Sequence, residues 1–308
     1  MEKTVFLFSG QGSQYPKMAE ELIAASPKAA EVFACASHVL DFDLKGICLN
    51  GTAEELAKTQ VSQPAIMATS LAALACVREA GIDASAVAGH SLGEYAAMVA
   101  SGMLSMEDGF KLIKARAAAM GKCAEQQDGA MAAIMGLSAD EVADVCEKTS
   151  GYVVPVNYNS TAQTVIAGER AAVAAASETF VSMGKRAIPL AVSAAFHSKL
   201  MQPAADEFYE AAKGFAFSEP KLDFYANLTG NKLTDFSDMA GYLAKHIVSP
   251  VYFTSELAEL EKDGYVNYLE LGPGKVLTGL VKKTLKGVTA LNVENTKTLE
   301  KALETLTE

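Results

Sequence analysis

The chain has 308 residues, 50% hydrophobic and 20% charged, with a formal net charge of −11. That length calls for one elaborated domain or two, the composition is that of a globular protein, and an acidic surplus without an offsetting basic block excludes general nucleic-acid binding. Five scattered cysteines without C-x-x-C spacing indicate neither a disulfide framework nor a zinc site.

The first apolar run, residues 4–8, reads as a buried strand and is too short for a signal peptide. No later stretch reads as a membrane span, so a cytoplasmic protein is expected. The strand ends in Ser9-Gly10-Gln11-Gly12-Ser13-Gln14, a small polar loop before a helix from about Pro16. Ligands bind beyond the carboxyl ends of strands in open α/β sheets, so this loop offers its backbone N–H groups to a substrate; a flexible turn is the alternative. Helical periodicity follows over Pro27–Leu40 and over residues 64–80, with Gly81 as a stop.

Residues 86–88 then read as a strand leading into Gly89-His90-Ser91-Leu92-Gly93, and residues 94–100 as a helix. A G-x-S-x-G sequence between strand and helix is the setting of a nucleophile elbow, whose two glycines permit a turn too tight for a β-carbon. Ser91 is therefore the candidate nucleophile. The next helix, 105–120, carries Arg116 among small neighbours, and from position alone a solvent-facing arginine is the commoner explanation.

From residue 128 to residue 192 the pattern changes. Strand 130–135, helix 138–149, strands 153–158 and 163–167, helix 169–183 and strand 186–192 give β-α-β-β-α-β, a ferredoxin-like unit inserted in the larger one. Asn157 and Asn159 fall between its second and third strands, as turn residues or as amides lining a cleft; the turn reading leads. The chain returns through Ala194-Ala195-Phe196-His197-Ser198, strand 222–225, helix 238–247, Pro250, helix 255–263 and strand 265–270, which enters Gly272-Pro273-Gly274. Strands alternating with helices indicate a mostly parallel sheet covered on both faces.

A serine hydroxyl needs a base, and the chain offers His38, His90, His197 and His246. His38 belongs to an early amphipathic helix and His90 points away from its neighbour on the turn. His197 follows a strand end and precedes a helix, so it shares a rim with Ser91. No aspartate declares itself as its orienting partner, and more than a hundred residues follow it, which argues against a plain esterase; a backbone carbonyl is the substitute.

Gly10-Gln11-Gly12-Ser13-Gln14, Gln60 with Gln63-Pro64-Ala65, Gly89-His90-Ser91-Leu92-Gly93-Glu94, Arg116, Asn157 to Ser160, Phe196-His197-Ser198 and Gly272-Pro273-Gly274-Lys275 occur in order across nearly the whole chain. Together they resemble the malonyl-coenzyme A:acyl carrier protein transacylases of fatty acid synthesis. The resemblance implies an α/β-hydrolase-like domain, residues 1–127 and 193–308, with the ferredoxin-like subdomain at 128–192. It implies a malonyl ester on Ser91, His197 as base and then acid, and an oxyanion hole from the backbone N–H groups of Gln11 and Leu92. By the same resemblance Arg116 would grip the free malonyl carboxylate, with Gln63, Asn159 and Phe196 completing the substrate site. The backbone carbonyl of His246 orients His197; many members carry glutamine in this segment.

The expected substrates are malonyl-coenzyme A and the phosphopantetheine thiol of acyl carrier protein, with no bound cofactor or metal, no membrane and a monomeric enzyme. Lys185-Arg186 and Lys282-Lys283 are the candidate docking residues for the acidic carrier protein. The alternatives are a freestanding acyltransferase of a polyketide synthase, a serine thioesterase, and an idle carrier-protein docking module.

Overall fold

Ten strands define the scaffold of the computed structural model, which describes residues 2–192 and 194–306. Met1, Ser193, Thr307 and Glu308, at limits of the expected domain segments, lie outside the described residues. In chain order the strands are β1 Lys3–Phe8, β2 Ala86–Gly89, β3 Gly129–Met135, β4 Val153–Ser160, β5 Gln163–Glu169, β6 Arg186–Pro189, β7 Asp223–Ala226, β8 Asn231–Lys232, β9 Tyr265–Leu271 and β10 Thr289–Val293.

The larger sheet has the order β10-β9-β1-β2-β7-β8 and is parallel except for β8, which runs antiparallel to β7. Val5, Phe6, Leu7 and Phe8 are fully buried, as a continuous apolar run must be in a central strand covered on both faces. Two strands escape the sequence pattern for physical reasons. β8 is a two-residue exposed edge, and β10 is an edge strand of intermediate burial whose Thr and Asn weaken the apolar signal.

One covering helix differs from expectation at its start. Thr59–Glu79 begins before Pro64 and holds that proline inside it, because residues 59–63 carry no apolar periodicity although Ser62 and Gln63 are buried. This helix is also long and apolar enough to cross a membrane by length and composition, contrary to the reading that no stretch is. Its most apolar window is 83% buried within the fold, so its hydrophobicity serves the core.

The smaller sheet has the order β4-β5-β3-β6 with antiparallel neighbours. β6 ends at Pro189 rather than at residue 192. The helices Ala139–Lys148 and Arg170–Ser182 pack on one face, where Ile134, Ile166, Val142 and Phe180 form a core of their own. Alternation along β3 and β5 sends Met131, Ala133 and Val165 the other way, into the main core. The sheet is also fastened by main-chain bonds, with the Tyr158 N–H donating to Val251 O (2.9 Å) and the Val251 N–H to Val156 O (2.8 Å).

Candidate active site

β2 stops at Gly89, and Ser91 follows with φ of 54°, the left-handed region that side chains usually avoid. The two glycines around it have no room for a side chain. A β-carbon on Gly89 would lie 2.2 Å from the Gly93 carbonyl carbon, and one on Gly93 would lie 2.1 Å from Phe8 O. The elbow is thus pressed against the end of β1, and the helix Gly93–Ala100 runs on from it.

Ser91 Oγ stands 2.7 Å from His197 Nε2. On its other side the imidazole Nδ1–H donates to His246 O (3.0 Å) and Ser249 O (3.1 Å). The His246 carbonyl belongs to the last turn of the helix Met239–Ile247, where backbone acceptors are left over. Two carbonyls hold the proton on Nδ1 and leave Nε2 as the acceptor for the serine proton. Burial, and then the Arg116 charge, lower the pKa of His197 to about 3, while the carbonyls oppose that shift. The imidazole is therefore neutral and able to accept a proton at any ordinary pH. His197, like Ser91, has a left-handed backbone, with φ of 62°.

The solvent-facing reading of Arg116 is wrong. The side chain is 1% exposed, donating through Nη1 to Gln63 Oε1 (2.8 Å) and through Nη2 to Ser91 Oγ (3.1 Å). Its Nε has no partner among the described residues. The helix Met106–Glu125 turns Leu112, Ile113 and Met120 to the core on the same stripe, so helical spacing already pointed inward for Arg116. Gln63 is fully buried beside it, its Nε2 lying 3.5 Å from Gln11 Oε1. The backbone N–H groups of Gln11 and Leu92 have no hydrogen-bond partner among the described residues.

A cleft of about 490 Å³ opens over Ser91 and His197. Gln11 and Phe196 line it from the larger unit and Met131 and Val165 from the smaller; Leu277 and Leu280 line another wall. The turn reading of Asn157 and Asn159 is also corrected, because β4 runs through both and both line the cleft. His90 Nε2 lies 2.8 Å from Asn159 Oδ1. The two basic pairs sit on elements that reach the cleft, but neither pair lines it. Lys185 donates to Gly136 O at the far end of β6, and Lys282 and Lys283 are exposed at the end of the helix Val276–Thr284.

Sequence reasoning missed a buried polar group behind the elbow. Asn227, directly after β7, accepts the Ser91 N–H (2.7 Å) and donates to Gly89 O (2.6 Å) and Glu256 Oε1 (2.7 Å). Its own N–H donates to Glu94 Oε1 (2.6 Å), and Tyr242 Oη donates to both Glu94 oxygens. The His246 Nε2–H reaches Asn227 Oδ1 at 3.1 Å. Burial pushes the carboxyl of Glu94 up to about 8 and that of Glu256 well above its usual range, and it keeps His246 neutral. The one available signal was a polar residue at the carboxyl end of a parallel strand. Glu270 was missed too; it takes the Leu277 and Thr278 N–H groups and the Ser9 hydroxyl, tying the loop after β1 to the helix beyond β9.

Comparison with known proteins places this geometry among relatives. The acyl transferase domain family matches residues 5–302. The malonyl CoA-acyl carrier protein transacylase of Bacillus subtilis is 39% identical, over 100% of this chain and 98% of its own length. That of Escherichia coli K12 is 38% identical, over 99% and 100%. The solved malonyl CoA-acyl carrier protein transacylase of Clostridium perfringens superposes with a TM-score of 0.95 at 36% identity, covering 99% of this chain and 97% of that one. A malonyl-transacylase solved in complex with a type II polyketide acyl-carrier protein gives 0.94 at 36% identity, covering 98% and 99%.

Proposed function

The chain belongs to the acyl transferase domain family, and from that premise we propose that it moves a malonyl group from coenzyme A to the phosphopantetheine thiol of acyl carrier protein. The observation that carries the reading is the buried Arg116 guanidinium bonded to Ser91 Oγ. A planar cation fixed beside a nucleophile fits an acyl group whose other end is a carboxylate.

In the first step Ser91 Oγ attacks the thioester carbonyl while His197 Nε2 takes its proton. The oxyanion is held by the Gln11 and Leu92 N–H groups, the carbon–sulfur bond breaks, and His197 returns the proton to the coenzyme A thiolate. The second step reverses the roles, with the carrier-protein thiol giving its proton to His197 and its sulfur displacing Ser91 from the ester. The five unpaired cysteines support a cytoplasmic setting. The scheme uses no cofactor, metal or membrane. A thioesterase reading is disfavoured because two carbonyls, not a carboxylate, hold His197 and because Arg116 sits beside the nucleophile.

Intact mass after mixing with malonyl-coenzyme A tests the reading. A stable malonyl adduct discharged by carrier protein is expected; steady release of free malonate would make the chain a hydrolase.

Phe196 is 7% exposed and lines the cleft next to His197, a position from which its ring would crowd a branched α-carbon. Malonyl is expected to load at least about tenfold faster than methylmalonyl, since one methyl group in a filled pocket amounts to about 1–3 kcal/mol. Equal single-turnover loading of the two substrates would remove Phe196 from the specificity site.

Docking of an acidic carrier protein on an acidic enzyme requires a local basic surface, and Lys185-Arg186 and Lys282-Lys283 belong to segments whose other residues line the cleft. Charge reversal at both pairs is expected to raise KM for carrier protein and leave loading from coenzyme A unchanged. An equal effect on both half-reactions refutes that assignment.

A further inference from the structure

Asn227 touches no surface of the cleft, yet each of its polar atoms is engaged. The side-chain carboxamide spans the elbow from behind, donating to Gly89 O on one side of His90 and accepting from the Ser91 N–H on the other. Its Oδ1 also meets the His246 Nε2–H, its second amide hydrogen goes to Glu256, its N–H to Glu94, and its carbonyl takes the Tyr252 N–H at 3.0 Å. The residue is fully buried, as are Glu94, His246 and Glu256.

Two features of the dyad meet at this one side chain. Ser91 is held in a left-handed backbone conformation that an L-residue keeps only where its surroundings impose it. His246, whose carbonyl holds His197, has its imidazole on the same Oδ1 that holds the Ser91 N–H. A carboxamide presents donor and acceptor in one rigid plane, so hydrophobic side chains and ionised carboxylates cannot make both elbow contacts.

We propose that Asn227 is a positioning residue for the acyl transfer: its carboxamide clamps the elbow and the His246 anchor together, setting Ser91 Oγ against His197 Nε2. The inference rests on the reading of Ser91 as nucleophile. Asn227→Ala removes no group from the cleft walls, and it leaves Arg116 and the Gln11 N–H untouched. It therefore changes the attack rather than the binding of substrate.

The test compares Asn227→Ala with the unmodified protein in malonyl loading and in inactivation by phenylmethylsulfonyl fluoride, which reacts with an activated serine and carries no malonyl group. A folded variant by circular dichroism is expected to lose about a hundredfold in kcat, the scale of a small misplacement of reacting groups. KM for malonyl-coenzyme A is expected to stay within about threefold, and sulfonylation to slow by the same factor as kcat. A kcat within about threefold of the original, or a loss confined to KM with sulfonylation unchanged, overturns the role. Failure of the malonyl reading alone would leave the sulfonylation contrast standing.

Where Asn227→Ala does not fold, Asn227→Asp is measured instead. It keeps the acceptor for Ser91 but sets an oxygen against Gly89 O and Glu256, amid Glu94 from the helix Gly93–Ala100 and Tyr242 and His246 from Met239–Ile247. Its activity relative to the original is expected to rise as pH falls and a protonated carboxyl regains a donor. A ratio independent of pH overturns the clamp.

Discussion

Arg116→Ala is expected to slow malonyl loading of Ser91 by about a hundredfold to a thousandfold, while acetyl loading falls little. The guanidinium is buried and bonded to Gln63 and Ser91 rather than to a carboxylate, so a diacid supplies the anion that the site otherwise lacks. Truncating one partner of a buried, hydrogen-bonded charge pair costs about 2–5 kcal/mol. The carbonyl of an acetyl group meets the same serine and the same backbone donors, which the substitution leaves in place. Arg116→Lys is expected to recover only part of the loss, because an ammonium cannot form two parallel bonds to a carboxylate. Single-turnover loading with malonyl- and acetyl-coenzyme A measures the ratio. An unchanged preference for malonyl would show that Arg116 does not read the carboxylate.

Removal of the base gives the other large effect, with His197→Ala expected to slow loading by about a thousandfold or more. A residual rate from the oxyanion donors remains. The pH dependence of the unmodified protein separates this role from a structural one. Burial and the Arg116 charge depress the pKa of His197 to about 3, so the proton-accepting form persists as pH falls. The acid limb of the loading rate is therefore expected well below the value near 6.5 of a free imidazole. In Arg116→Ala the second-largest depressing cause is gone, and the limb is expected to move upward. A limb at the ordinary imidazole position in the unmodified protein, unmoved by the substitution, would place the titration elsewhere.

The parts of this site that were legible in the sequence are those whose chemistry depends on local chain geometry. Gly89, Ser91 and Gly93 announce a turn because no other residues fit there, and β1, β2, β7 and β9 announce themselves through apolar runs. His197 followed from elimination among four histidines, and its carbonyl anchor from the want of an aspartate. Arg116 was misjudged on position alone because a cation among alanines looks solvated, although its spacing from Leu112, Ile113 and Met120 marks the buried face. Glu256 gave no pattern, Asn227 only a polar residue at a strand end, and Glu94 only its place in the elbow motif. They meet only because parallel pairing of β2 with β7 brings Asn227 beside the elbow, so their contacts span 29 to 138 residues of sequence. Local reasoning carries no information about neighbours so distant along the chain.

The attachment of β4 to Val251 bears on how large an acyl group can be handled. Tyr158, Val156 and Val251 exchange main-chain bonds, Thr254 Oγ1 donates to Tyr158 O, and Val251 lies just past the Ser249 carbonyl that holds His197. Swinging the smaller sheet outward to widen the cleft would break these bonds and drag on the backbone that orients the base. The jaw is welded rather than hinged. A longer acyl chain must then find its room by side-chain rotation along fixed walls, and any loosening that admitted it would also misalign the imidazole needed to transfer it.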